Sequence, residues 1–119
     1  MPGRPDDVVR RFAAACRLAD ATAIRAALDD GAFAVCDAGG LAPAAIGPVH
    51  SADGADGVAE LAAGLLSEGE LTIEAVNGHA GLALRRVGRA VAVAALQTAD
   101  SKVTAVWIVL NPEKLRRWH

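Results

Sequence analysis

The chain has 119 residues, of which 53% are hydrophobic, and a formal net charge of -2. That length fits one domain, 1–119, and that hydrophobic share excludes an intrinsically disordered chain. The balance of 12 basic against 14 acidic residues lacks the electrostatic footprint of a nucleic-acid binder, and no apolar run has the length of a membrane span.

Pro5-Asp6-Asp7 opens a first helix, since proline suits a first turn and acidic side chains favour the positive helix end. Val8, Phe12, Ala15, Cys16 and Ala19 follow at helical spacing, with Arg10, Arg11 and Arg17 on the other side. Asp20 caps a second, shorter helix whose Ala23, Ile24, Ala27 and Leu28 face inward, and Asp29-Asp30-Gly31 ends it. Ala32 to Asp37 reads as a strand, Ala38-Gly39-Gly40 as a turn and Leu41 to Ala45 as a loop. Ile46 to His50 reads as a short strand, and Pro48 argues that it lies at a sheet edge. Ser51 or Asp53 begins a turn into a third helix with an apolar stripe of Val58, Leu61, Ala62, Leu65 and Leu66, closed by Ser67-Glu68-Gly69.

From Glu70 onward the period changes from helical to alternating. Strands are predicted over 71–76, 82–86, 90–98 and 102–110, joined by turn-rich connections at 77–81, 87–89 and 99–101. Such spacing is that of consecutive antiparallel hairpins. Asn111-Pro112 stops the last strand, and Glu113 to His119 forms a tail or helical turn. The fold class is therefore α+β, with helices packed on a mostly antiparallel sheet.

Much of the apolar content is alanine. Two Phe and two Trp supply the aromatic bulk and there is no Tyr. Alanine buries little area, so stability must come from close packing and gains from further burial in a dimer. The segment Val103-Thr104-Ala105-Val106-Trp107-Ile108-Val109-Leu110 hardly alternates, so both faces of its strand should be covered. The helices cover one face. A second copy of the chain is the simplest cover for the other, giving a sheet-to-sheet homodimer.

Cys16 and Cys36 lack metal-ligand or CxxC spacing and read as core thiols. The N-terminus carries no apolar signal core, which leaves a cytoplasmic location as the expectation. The basic clusters Arg10-Arg11, Arg85-Arg86 with Arg89, and Lys114-Arg116-Arg117 read as solvated surface.

Three segments narrow the reading. Asp37-Ala38-Gly39-Gly40 with the following Pro43 and Gly47-Pro48-Val49 is similar to an Asp-Gly-Gly-Gly-Lys segment of one group of extracytoplasmic-function sigma factors. Val76-Asn77-Gly78-His79-Ala80-Gly81-Leu82 resembles that group's Val-Asn-Gly-x-x-Gly-Leu, and Asn111-Pro112-Glu113-Lys114-Leu115 resembles its terminal Asn-Pro-(Asp/Glu)-Lys-Leu. Those sigma factors carry a SnoaL-like C-terminal extension with the nuclear transport factor 2-like cone fold, whose element order this chain resembles. Leu41 stands where the group has lysine and Ala38 where it has glycine. The promoter-binding sigma regions have no counterpart, so promoter binding by that route is not expected; the chain reads either as a free-standing relative, which Met1 before the first helix favours, or as a fragment of a longer protein. The resemblance implies a regulatory or interaction domain with a sigma factor or other protein as partner, its interface drawn from Asp37, Gly39, Gly40, Asn77, Gly78, Gly81, Asn111 and Pro112. It also implies room for a small apolar ligand in the cone.

The alternative is a small cone-pocket enzyme doing proton-transfer chemistry of the isomerase, cyclase or hydrolase type on an apolar metabolite. Such a site needs a carboxylate or imidazole beside a group that stabilises developing charge. The polar candidates are Asp37, His50, Glu74, Asn77, His79, Gln97 and Thr104. Asp37, ending an apolar strand, is the best single base candidate, though capping the Gly39-Gly40 turn through its side chain is the more ordinary role for it. His50 follows an edge strand, and His79 lies in a turn and reads as surface. Neither metal-ligand spacing nor a phosphate-cradling loop occurs, and no cofactor is expected.

Overall fold

Pro5 starts helix α1, Pro5–Arg17, and the apolar residues Val8, Val9, Phe12, Ala13, Ala15 and Cys16 bury one side of it. The computed structural model describes residues 5–37, 49–76, 78–110 and 115. Helix α2, Ala21–Ala27, is capped by Asp20, whose carboxylate accepts a 3.2 Å hydrogen bond from the Ala23 amide. The chain then enters strand β1, Leu28–Asp37, without a loop. The strand thus begins earlier than its sequence suggests. Asp29 and Asp30 are exposed strand residues, Asp29 Oδ2 accepts from the Gly31 amide, and the ladder breaks register between Leu28 and Phe33 to accommodate them.

Strand β2, Val49–Asp53, runs through Ser51 and Asp53, which the sequence reading gave to a turn. The turn is at Gly54, which takes φ +85 and leads into helix α3, Ala55–Leu65. Strands β3 (Glu70–Val76), β4 (His79–Arg86), β5 (Arg89–Ala99) and β6 (Lys102–Val109) are the expected run of antiparallel hairpins. Their connections are tighter than expected. His79 and Ala80 already belong to β4, which corrects the placement of His79 in a turn. Val87-Gly88 and Asp100-Ser101 both carry positive φ at each residue (51 and 77, then 51 and 65), the signature of two-residue turns whose twist matches their strands. Val87 is fully exposed in that conformation, unusual for a β-branched residue.

The six strands form one sheet in the order β2-β1-β6-β5-β4-β3. The β1–β6 pair is parallel and the others are antiparallel. The edge position of β2 agrees with the expectation drawn from Pro48.

All three helices lie on one face of this sheet. There Phe12, Ile24, Val58, Leu66, Leu82, Leu84, Val103, Val106 and Ile108 pack into the main core, with alanines filling the narrow gaps. Cys16 and Cys36 belong to the same core and are unbridged, and burial pushes the Cys16 thiol up to about 12 and raises that of Cys36 as well. Both therefore behave as inert core groups. The opposite, outer face carries a smaller apolar cluster of Val76, Ala83, Ala90, Val93 and Ala95, flanked by Trp107 and Val109. Leu115 is buried in this cluster, so a residue beyond the last strand covers part of the outer face. The weak alternation of β6 has this origin: Val106 and Ile108 point into the helix-side core, while Trp107 and Val109 point to the outer cluster.

Candidate functional site

Cross-strand partners share a face, so the register lays out the outer face in rows. One row runs Ser51, Val35, Trp107, Ala95, Gly81, Glu74, and the next runs Asp37, Val109, Val93, Ala83, Thr72. A third holds Asp53, Phe33, Ala105 and Gln97. The middle of this face is apolar. Phe33 is 40% exposed and meets Trp107 edge to face, with ring centroids 5.9 Å apart and planes at 85°.

At the β3–β4 side of the same face the sequence builds a polar cluster. Arg85 Nη1 donates to Glu74 Oε2 at 2.5 Å and Nη2 to Oε1 at 3.3 Å, a two-pronged ion pair. Thr72 Oγ1 donates to Glu74 Oε2 at 2.5 Å and accepts from Arg85 Nη1 at 3.2 Å. Arg85 stands opposite Glu70 and reaches Glu74 across the row of Thr72 and Ala83, whose small Ala83 side chain leaves room for it. The bond from Arg85, and after it that from Thr72, holds the Glu74 carboxyl below its ordinary value of 4.5. A carboxyl lowered by folding stabilises the fold above its unfolded value and loses that contribution as pH falls through the folded value. Glu74→Gln is therefore expected to flatten the loss of stability as the pH is lowered from neutral to below 4.5. Urea titrations at the two ends measure it, and an unchanged slope would show that the pair contributes nothing.

The helix-side core stops short at the far end of α3. There Gly64, Leu65, Arg86, Val91 and Leu110 line a half-open cavity of about 390 Å³. Val91 faces it because β4 pairs Leu84 with Ala92 and Arg85 with Ala90, which leaves Val91 bulged out of the ladder. Arg86 Nε donates to the Glu68 carbonyl at 2.5 Å and Nη2 to the Ser67 carbonyl at 3.3 Å, so the guanidinium is tied to the turn that follows α3.

The sequence candidates are dispersed over this frame. Asp37 shares the outer-face row of Val109, and its carbonyl accepts from the Leu110 amide at 2.7 Å. His50 pairs with Cys36 through its backbone. His79 pairs with Val76 and is exposed. The Gln97 carbonyl accepts from Thr104 Oγ1 at 3.2 Å. Gly78 takes φ +80 in the β3–β4 turn, and Gly81 is buried against β5. Gly39, Gly40, Asn77, Asn111 and Pro112 lie outside the described residues. Among the described members of the three motif segments, Asp37, Val76, Gly81 and Leu115 meet the outer face, whereas Ala80 and Leu82 pack into the helix-side core. Sequence reasoning named Glu74 but did not single out Arg85, which the structure ties to Glu74, or Arg86, which it ties to the turn after α3. Counting back from the Asn77-Gly78 turn sets Arg85 opposite Glu70, which was the available signal. Among the described residues, no three His, Cys, Asp or Glu side chains gather as a metal-binding group, and no helix is long and apolar enough to cross a membrane.

No protein-family model matches the chain, and no curated protein does so either. Solved structures do. The extracytoplasmic function sigma factor SigJ of Mycobacterium tuberculosis superposes with a TM-score of 0.66 at 26% identity, over 93% of this chain and 43% of that one. The present chain thus spans less than half the length of that sigma factor. An NTF-2 like protein of unknown function from Burkholderia xenovorans gives a TM-score of 0.62 at 13% identity, covering 90% of this chain and 82% of that one. An LEH-like epoxide hydrolase of Mycobacterium tuberculosis gives 0.54 at 17%, covering 95% and 86%. Three helices on one face of a six-stranded mixed sheet, matched along nearly the whole chain by these structures, give this chain the α+β cone fold of nuclear transport factor 2-like proteins.

Proposed function

We propose that the chain is a non-enzymatic regulatory or interaction domain, comparable to the SnoaL-like extension of sigma factors, which pairs with a second copy through the outer sheet face and holds a small ligand in the cone. The observation that carries the reading is the outer face itself. Phe33 and Trp107 meet edge to face there and remain partly exposed, next to Val35 and Val109. Apolar surface of this kind on a sheet is the usual mark of a protein contact. The flanking Glu74–Arg85 pair supplies a polar rim, as protein interfaces have. The similarity to SigJ over most of this chain supports a sigma factor as a further partner, and a cytoplasmic location goes with it.

Analytical ultracentrifugation tests the self-association. The wild-type chain is expected to sediment as a concentration-dependent dimer, and Trp107→Lys as a monomer with an unchanged circular-dichroism spectrum. A wild-type chain that stays monomeric up to its solubility limit would remove the dimer from the reading.

A further inference from the structure

The cavity at the end of α3 lies on the helix side of the sheet, away from the outer face, and it contains one feature the interaction reading does not use. Leu65, Val91 and Leu110 give it apolar walls, and Arg86 places a permanent cation among them. Arg10, Arg25 and Arg85 have acidic partners, whereas Arg11 and Arg17, like Arg86, bond to main-chain carbonyls. Of these carbonyl-bound arginines, Arg86 is the one that lines the cavity. Its two hydrogen bonds go to the main-chain carbonyls of Ser67 and Glu68. These neutral acceptors fix the guanidinium in place and leave its charge in excess. Among the described residues no carboxylate pairs with it, and its Nη1 donates to none of them. A positioned cation with spare donors, beside an apolar cavity, matches a molecule with a carboxylate at one end and a hydrocarbon body.

We propose that this cavity binds a medium-chain alkanoate, with Arg86 taking the carboxylate and Leu65, Val91 and Leu110 covering the chain. The proposal rests on the reading of the cone as a ligand site and adds the class of ligand. It also gives the adjacent arginines opposite tasks. Arg85 is neutralised within the outer face, whereas Arg86 serves the inner cavity.

Octanoate, 1-octanol and octylamine are the probes, titrated into the full chain by calorimetry and by amide chemical-shift mapping. Octanoate is expected to bind tightest and to shift the amides of Gly64, Leu65, Val91 and Leu110. Arg86→Met keeps the side-chain length and removes the charge. It is expected to weaken octanoate by about tenfold or more, the size of one charge-assisted hydrogen bond, and to leave octanol unaffected. Gly64→Phe is a second variant. A Cβ at Gly64 meets nothing within 4 Å, so this variant is expected to fold and to lose both ligands by occupying the cavity. Equal binding of octanoate and octanol, or an Arg86→Met variant that binds octanoate as before, would overturn the carboxylate assignment and leave the cone as a ligand site. Shifts confined to Phe33 and Trp107 would overturn it too, by placing the probe on the outer face. No binding of any probe to the folded wild type would overturn both this inference and the ligand half of the reading beneath it.

Discussion

Phe12→Ala is expected to cost about 3–5 kcal/mol of folding stability, at the upper end of what one core truncation does. Phe12 is fully buried and has the largest volume of the fully buried side chains among the described residues. Its surroundings set the size of the effect. The core around it is built largely from small residues, among them Ala13, Ala27, Ala34, Ala59, Ala62, Ala92 and Ala94. The cost of a truncation grows with the cavity that remains, and it falls when neighbours swing in to fill the space. Alanine has no side-chain rotamers with which to do so. The void left by the ring would persist, and its lining would lose dispersion contacts outright. A domain of this size has about 5–15 kcal/mol of total stability, so the variant sits close to unfolding. Urea denaturation at one fixed protein concentration reads the effect, because a dimer would make stability depend on concentration. Leu18→Ala, at a side chain that is 75% exposed, is the control and should move stability by no more than about 0.5 kcal/mol. A Phe12→Ala cost below about 1 kcal/mol would mean that α1 does not anchor the core as described.

The hairpin half of the fold is legible from local signals. Asn77-Gly78, Val87-Gly88 and Asp100-Ser101 each separate two apolar runs by two residues, and a two-residue connection between such runs allows little besides an antiparallel pair. The start of β1 is not legible in that way. Asp29-Asp30-Gly31 has the composition of a helix stop followed by a loop, and nothing local reveals that these residues sit in a strand already paired at Leu28 with Val103. The parallel β1–β6 pair is equally hidden, because it joins segments separated by most of the chain and leaves no short-range signature. The same limit applies to the site. Arg85 and Arg86 read together as one basic run on the surface. Alternation along β4 sends them to opposite faces, one to Glu74 and the other to the end of α3. Their partners are tertiary, and a charge count cannot separate them. Leu115 is a further case, since only the folded chain shows that it closes part of the outer cluster.

The two glycines of the Asn77-to-Leu82 segment look alike in sequence, and the structure gives them different physical tasks. Gly81→Ala is expected to destabilise the domain by about 3 kcal/mol, the upper range for overpacking a filled site. A Cβ at Gly81 would lie 2.3 Å from the Ala94 carbonyl oxygen and 2.6 Å from Val76 Cγ2. The first obstacle is main chain and cannot rotate aside. Strand β4 is also held between β3 and β5, so any retreat from β5 would break ladder hydrogen bonds on one side or the other. Gly78 faces no such contact, since its Cβ would meet open space, but its φ of +80 belongs to the left-handed region. Gly78→Ala should therefore cost only the conformational penalty, about 1–2 kcal/mol. Gly64 meets neither condition: its Cβ position is open, it lies within α3, and Gly64→Ala should stabilise by about 0.5–1 kcal/mol through helix propensity. The order of the three variants in one set of urea titrations is the test. A Gly81→Ala variant within about 0.5 kcal/mol of the wild type would contradict the close approach of β4 and β5 at Ala94. If the order holds, Gly81 is required by the packing of adjacent strands, and its presence in the motif follows from the fold before any partner or ligand is considered.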